Sequence, residues 1–288
     1  MITTITNEQL CVSINSLGAA MTSIKTVSGD EFLWSGDPKV WNGQAPNLFP
    51  FVGKLKGGTY SFEGNEYKMA KHGFARGLEF SVISQSATAV TFRLSQNEST
   101  LVNYPFNFDF DITFSLDGKA LDISYDVTNN SSGLMPFSLG AHPAFACNWS
   151  KNSVIADYYL EFDSKENGGH VQFGGDCLSR VEHHALSESR ILNLSENLFD
   201  ADALIYSGLE SRAVTLRSNK SDKSVRLEFP DFTYLGIWSK PGAPYVCVEP
   251  WFGCDDFEDS NGDALQKDGI EVLSAGESFN CVYKIVIC

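Results

Sequence analysis

The chain has 288 residues, of which 43% are hydrophobic, 20% charged and 12% aromatic, including 21 Phe, a composition that excludes long disorder and describes a soluble globular protein. A formal charge of −15 opposes polyanions and excludes nucleic acid as the expected partner, whereas a neutral ligand meets no such barrier. The first residues, Met1 to Glu8, lack a basic n-region and an apolar h-region, and no later run is long enough to span a bilayer, so the expectation is a cytoplasmic protein that does not enter a membrane.

Seven scattered cysteines form neither CxxC pairs nor a disulfide framework, which predicts reduced and mostly buried thiols. No linker, low-complexity run or internal repeat divides the chain, so residues 1–288 are expected to form one domain, a size that all-β folds reach as a single unit.

In chain order, Asn47-Leu48-Phe49-Pro50 and Gly53 come first, followed by Lys54. Tyr60-Ser61-Phe62 turns through Gly64-Asn65 into Tyr67 as a short hairpin, and Phe80 to Ile83 returns as Ala89 to Leu94. The clearest signal is Phe106 to Leu116, which alternates apolar and polar without a break, meets Asp117-Gly118, and returns as Leu121, Ile123, Tyr125 and Val127. Asp-Gly between two alternating runs specifies a hairpin. Helical spacing is scarce, with Leu194 to Leu204 the one candidate. Further strands are read at Val214 to Leu216, Val225 to Phe229, Tyr234 to Trp238, Tyr245 to Glu249 and Asn280 to Ile287, with turns at Ser221-Asp222-Lys223 and Pro241 to Pro244. Many short strands separated by turns predict an all-β antiparallel sandwich or barrel.

Three segments carry titratable groups in apolar or turn-rich settings: His72-Gly73-Phe74-Ala75-Arg76, Gly140-Ala141-His142-Pro143-Ala144-Phe145, and Cys247-Val248-Glu249-Pro250-Trp251. Alternation places Glu249 on the face of Cys247 and Tyr245, where burial would raise its pKa and strengthen it as a base. Pro143 forces an extended backbone at His142. The structural alternatives are a paired surface glutamate and a satisfied core histidine. Trp238 and Trp251 could stack on the apolar face of a sugar or simply fill the core. His170, His183 and His184 fit no motif, and neither a zinc-ligand spacing nor a phosphate-cradling glycine loop occurs, so no metal and no cofactor is implied.

The motifs and their order, together with Gly236-Ile237-Trp238-Ser239, resemble the aldose 1-epimerase (galactose mutarotase) family, in particular its LacX-like branch. The resemblance implies a large antiparallel β-sandwich, the galactose mutarotase-like supersandwich, with a sugar site on its open concave face. It implies a small-molecule aldose as partner, a monomer or homodimer, and interconversion of α and β anomers of a free hexose by ring opening and reclosure. Glu249 would be the base at the anomeric hydroxyl, His142 the acid at the ring oxygen, and His72 a group near the anomeric end. Arg76 would bind sugar hydroxyls, and Asp202 would add a weaker contact. Lys54 stands where relatives commonly have arginine and lacks its bidentate fork, so a contact there would be altered or absent.

Two enzymatic alternatives stay open: epimerisation of a hexose 6-phosphate, for which Arg76 and Lys54 are the only obvious cations near the motifs, and glycoside hydrolysis pairing Glu249 with Asp231 or Asp255. A non-catalytic carbohydrate-binding or sensing protein on the same fold is the third. If Glu249 starts ionised and His142 protonated, kcat/KM should rise through a carboxylate pKa and fall through an imidazole pKa, roughly pH 4.3 to 6.5 when unperturbed.

Overall fold

In the computed structural model, which describes residues 1–288, the Asp-Gly signal resolves into strands Phe108–Asp117 and Ala120–Asn129, paired from Asp117 opposite Ala120 to Phe108 opposite Asn129. Their burial alternates along nearly the whole length, the signature of a sheet with one wet face. On the dry face Phe108, Phe110, Ile112 and Phe114 are all buried, each contributing about 1.5–3 kcal/mol on leaving water.

This hairpin sits in a nine-stranded antiparallel sheet. Its order is 189–193, 158–166, 213–218, 221–228, 278–287, 120–129, 108–117, 89–95 and 81–85. A second sheet, of eight strands, runs 178–183, 170–173, 204–207, 234–238, 245–252, 139–141 and 47–48, with 144–146 also on 245–252. Between the two sheets lies a core of 66 buried residues, from Ile5 to Ile287, where Phe162 of one sheet meets Tyr206 of the other at 6.4 Å between ring centroids. Smaller sheets are formed by 2–6, 10–15 and 20–26, by 59–62 with 65–68, and by 135–137 with 271–273. The architecture is the all-β antiparallel sandwich that the turn-punctuated strands predict. No helix is long and apolar enough to cross a membrane.

Two local expectations are corrected. Residues 194–203 contain turns and no helix; Leu194, Phe199, Ala203 and Leu204 are buried anchors of an irregular segment, and their spacing imitates a helical stripe. The α-helix lies instead at Glu98–Asn103, where the Asn97 side chain accepts from the backbone N–H groups of Ser99 and Thr100. Ser221-Asp222-Lys223 begins a strand, since the turn falls one step earlier at Asn219-Lys220.

The strand Tyr245–Phe252 behaves unlike the hairpin, because every residue in it is buried. Val246, Val248 and Phe252 join the main core. Tyr245 and Cys247 join a small cluster with Trp34, and Trp251 joins another with Leu48 and Val52. Glu249 shares this second face, which packs against loop residues such as Trp41, Val52 and Cys254 and against none of the nine-stranded sheet.

Candidate active site

Strand register brings the acid–base candidates together. Gly140 pairs with Trp251 and Ala144 with Cys247, so counting inward from both pairs sets His142 opposite Glu249. Pro143 has no N–H to continue the ladder, and the His142 N–H turns to the Pro46 carbonyl at 3.1 Å. The imidazole Nε2 lies 3.2 Å from Glu249 Oε2. The contact is not in line for a full hydrogen bond, and Glu249 Oε2 and His142 Nδ1 are both buried without a partner. Two such groups so close together suit a site that awaits a ligand's hydroxyls.

The Trp251 indole packs closely over a glycine on each adjoining strand, Gly140, its register partner, and Gly236, which pairs with Glu249. A Cβ on Gly140 would come within 2.4 Å of the indole Cδ1, and one on Gly236 within 2.7 Å of Cη2. Its Nε1, also buried without an in-line acceptor, weakly favours the ionised form of Glu249.

His72 is held differently. It occupies the left-handed region at φ 67°, a conformation that costs a non-glycine residue on the order of 1–3 kcal/mol unless its surroundings enforce it. Gly53 does so twice: its carbonyl accepts the His72 N–H at 2.8 Å, and its own N–H donates to His72 Nδ1 at 3.1 Å. Because a backbone amide can only donate, Nδ1 carries no proton and Nε2 does. The imidazole therefore offers a donor at its free end.

These groups border a cleft of about 240 Å³, lined by His72, His142, Glu249, Arg76, Trp238, Trp251 and Asp202 together with Trp41, Pro46, Lys71, Phe173, Ala203 and Asp255. That volume lies under the usual range for drug-sized ligands and suits a small one. Burial drives the chemistry of its floor. Desolvation pushes the Glu249 carboxyl well above the ordinary range, and the nearby Asp255 and Asp202 charges push the same way while Lys71 opposes them. Desolvation takes His142 down to about 3, with Lys71 and Arg76 adding repulsion, and lowers His72 well below its usual value. Burial thus favours the neutral members of the pair, a protonated carboxyl beside a neutral imidazole, over the ion pair. The neutral pair holds one proton, as the ion pair would, and the two forms differ only in where that proton sits.

Seven of the eight residues singled out from sequence line the cleft, and Lys54 does not. Its Nζ faces outward to Asp176 at 2.9 Å, and only its backbone N–H turns inward, to Asp255 Oδ1 at 2.6 Å. Trp251 is 2% exposed, so it shapes the wall instead of offering an open face, whereas Trp238 is half-buried. Asp202 lines the cleft and Asp200 does not. Of the carboxylates weighed for hydrolysis, Asp231 is exposed and accepts the Val282 N–H, while Asp255 is buried at the cleft with its pKa raised by burial. His170 and His183 pair across neighbouring strands away from the cleft.

Sequence reading missed Trp41, Lys71 and Phe173. Lys71 directly precedes the His72 motif, and its ammonium lies 5.5 Å from the Phe173 ring centroid. Trp41 stacks on His142 at 5.3 Å and on Tyr245 at 5.4 Å. No local pattern marks it, since it reaches the site from an irregular loop.

The sequence is similar to two LacX proteins of Lactococcus lactis subsp. lactis, plasmid and chromosomal, each 37% identical over 257 residues that cover 86% of this chain and 86% of the relative. Among solved structures, a galactose mutarotase related enzyme from Lactobacillus acidophilus superposes with a TM-score of 0.96 at 33% identity, covering 100% of this chain and 97% of that one. A galactose mutarotase-like protein from Lactobacillus casei gives 0.93 at 33% identity, with both chains covered in full. The family described as aldose 1-epimerase matches residues 1–281. On the profile match, the sequence identity and the shared fold together, this chain belongs to the aldose 1-epimerase family.

Proposed function

We propose that the protein interconverts the α and β anomers of a free hexose, with Glu249, His142 and His72 at the reacting end of the sugar and Arg76, Trp238 and Asp202 around its hydroxyls. The observation that carries this reading is the buried His142–Glu249 pair, 3.2 Å apart at the floor of a small cleft. Opening a pyranose needs one proton taken from the anomeric hydroxyl and one delivered to the ring oxygen, with the roles reversed on reclosure. A pair that holds a single proton and keeps one unpartnered atom on each member can do both without net proton exchange with solvent.

In the productive form Glu249 is the base and His142 the acid, reached from the neutral pair by moving the shared proton from carboxyl to imidazole. A bound sugar whose hydroxyls satisfy Glu249 Oε2 lowers the cost of ionising it. His72, fixed as an Nε2–H donor, is suited to hydrogen-bonding an oxygen on which negative charge develops during opening.

A second reading, in which the sugar carries a phosphate, is favoured by Lys71. It joins Arg76 on the cleft wall, taking the place of Lys54, whose ammonium faces outward. Polarimetry on freshly dissolved α-glucose, α-galactose and α-glucose 6-phosphate separates the readings. Acceleration over buffer with the free sugars supports the first, and acceleration with the phosphate alone supports the second. No acceleration with any of them, alongside measurable sugar binding, supports a carbohydrate-binding protein.

A further inference from the structure

Cys247 has no part in that chemistry, yet it stands two residues from Glu249 on the same face of the strand Tyr245–Phe252. Ligand atoms of Cys247, His142 and Glu249 all lie within 4.8 Å of one another, and the three side chains are 0%, 9% and 1% exposed. Glu249 Oε2, which faces His142 Nε2, is also buried without a hydrogen-bond partner. No zinc-ligand spacing shows in the sequence, because His142 and Cys247 are distant along the chain and meet only through strand pairing. One sulfur, one nitrogen and one oxygen donor suit a borderline-soft, tetrahedral dication.

We infer that His142, Cys247 and Glu249 form a zinc-binding site that overlaps the acid–base pair, so that the ion blocks turnover instead of serving it. Tetrahedral zinc with bonds of about 2.0 to 2.3 Å needs donors roughly 3.3 to 3.8 Å apart. The 3.2 Å His142–Glu249 contact is already near this spacing, and the thiol has to close in by up to about 1 Å. The fourth position opens on the cleft that His142 and Glu249 line. Protons and charge balance as follows: the thiol and the carboxyl each release one proton, His142 stays neutral, and the two anions cancel the two charges of the ion. A site that excludes an isolated charge accepts this neutral complex.

The test uses the full chain in chelator-free buffer, with Co²⁺ as a spectroscopic stand-in for Zn²⁺. One equivalent of Co²⁺ should give thiolate-to-cobalt absorption that is lost in Cys247→Ser and kept in Cys177→Ser. Zn²⁺, but not Mg²⁺, should slow anomer interconversion and be relieved by excess sugar. In Cys247→Ser the inhibition should weaken at least tenfold while turnover without metal stays within a few-fold of the parent. If the serine variant does not fold, Cys247→Ala carries the same comparison without a buried hydroxyl. Absence of the absorption in the parent, or its persistence in the Cys247 variants, overturns the site. The absorption is read without turnover, so it stands even if the epimerase reading fails.

Discussion

The hairpin Phe108–Asn129 and the strand Tyr245–Phe252 obey the same period of two, yet they use it for different ends. In the hairpin the outward residues meet water and the neighbouring strand 89–95: Asp111 receives two hydrogen bonds from Arg93, at 2.7 and 2.6 Å, and Thr113 bonds Thr91. On the other strand the corresponding face is roofed by loops, so Glu249 and Trp251 keep polar atoms buried without partners. The hairpin leaves its polar groups satisfied, and the inner strand does not. Such a deficit costs stability, and its location marks the place where a ligand supplies the missing bonds.

The sharpest way to break the contrast is Glu249→Gln. Turnover should fall by about 10² to 10⁴ with the fold intact, as expected for removing one positioned proton-transfer group. Polarimetry with circular dichroism checks this, and activity within a few-fold of the parent would remove Glu249 from the mechanism. In the hairpin the effect lies in stability instead: Phe110→Ala should cost about 3–5 kcal/mol, read as a lower denaturation midpoint.

The pH dependence sharpens the comparison further. From sequence the active window runs roughly between pH 4.3 and 6.5, with the carboxylate on the acid limb. Burial reverses the assignment. The singly protonated pair persists from the low His142 value, about 3, up to the raised Glu249 value, so His142 sets the acid limb and Glu249 the alkaline one. In chelated buffer kcat/KM should therefore be flat through weakly acidic pH. A maximum confined to roughly pH 4.3–6.5, the unperturbed window, would overturn the reversed assignment. The sign for stability follows from linkage: a carboxyl whose folded pKa is raised binds its proton more tightly when folded, so its ionisation costs stability above the ordinary 4.5. Glu249→Gln should gain on the parent in thermal melts as pH rises from about 4.5, and the gap should close below it.

Smaller effects bound the contrast. Arg76→Ala should raise KM more than it lowers kcat, because a contact made in ground and transition states alike changes binding alone; an unchanged KM counts against a substrate contact. Asp111→Ala on the wet face should cost only about 0–1 kcal/mol in a denaturant titration, as partly exposed ion pairs do.

The same contrast explains what the sequence made legible. Phe108 to Asn129 was readable because one face is wet, so burial and polarity alternate together. Leu139–Ala141 and Ala144–Ala146 are buried throughout and carry no period, and there only the histidine motif marked the site. Glu249, His142, His72 and Arg76 were visible as motifs, and Lys71 adjoins one. Trp41 and Phe173 were not: Trp41 reaches the cleft from an irregular loop and Phe173 from the end of strand 170–173, and both arrive through the path of the whole chain. The Leu194 to Leu204 error has the same origin, since anchors of an irregular segment fell by chance at helical spacing.

The placement of His142 opposite Glu249 by backbone register has an evolutionary consequence. Spacing between the two reactive groups is inherited from a ladder of main-chain bonds, so loops around the mouth can lengthen, shorten or change composition and leave the pair undisturbed. A single residue inserted between Gly140 and Ala144 would instead turn the imidazole to the opposite side of the sheet. New specificities can therefore arise by remodelling the rim, while the four-residue step from Gly140 to Ala144 stays the least negotiable length in the chain.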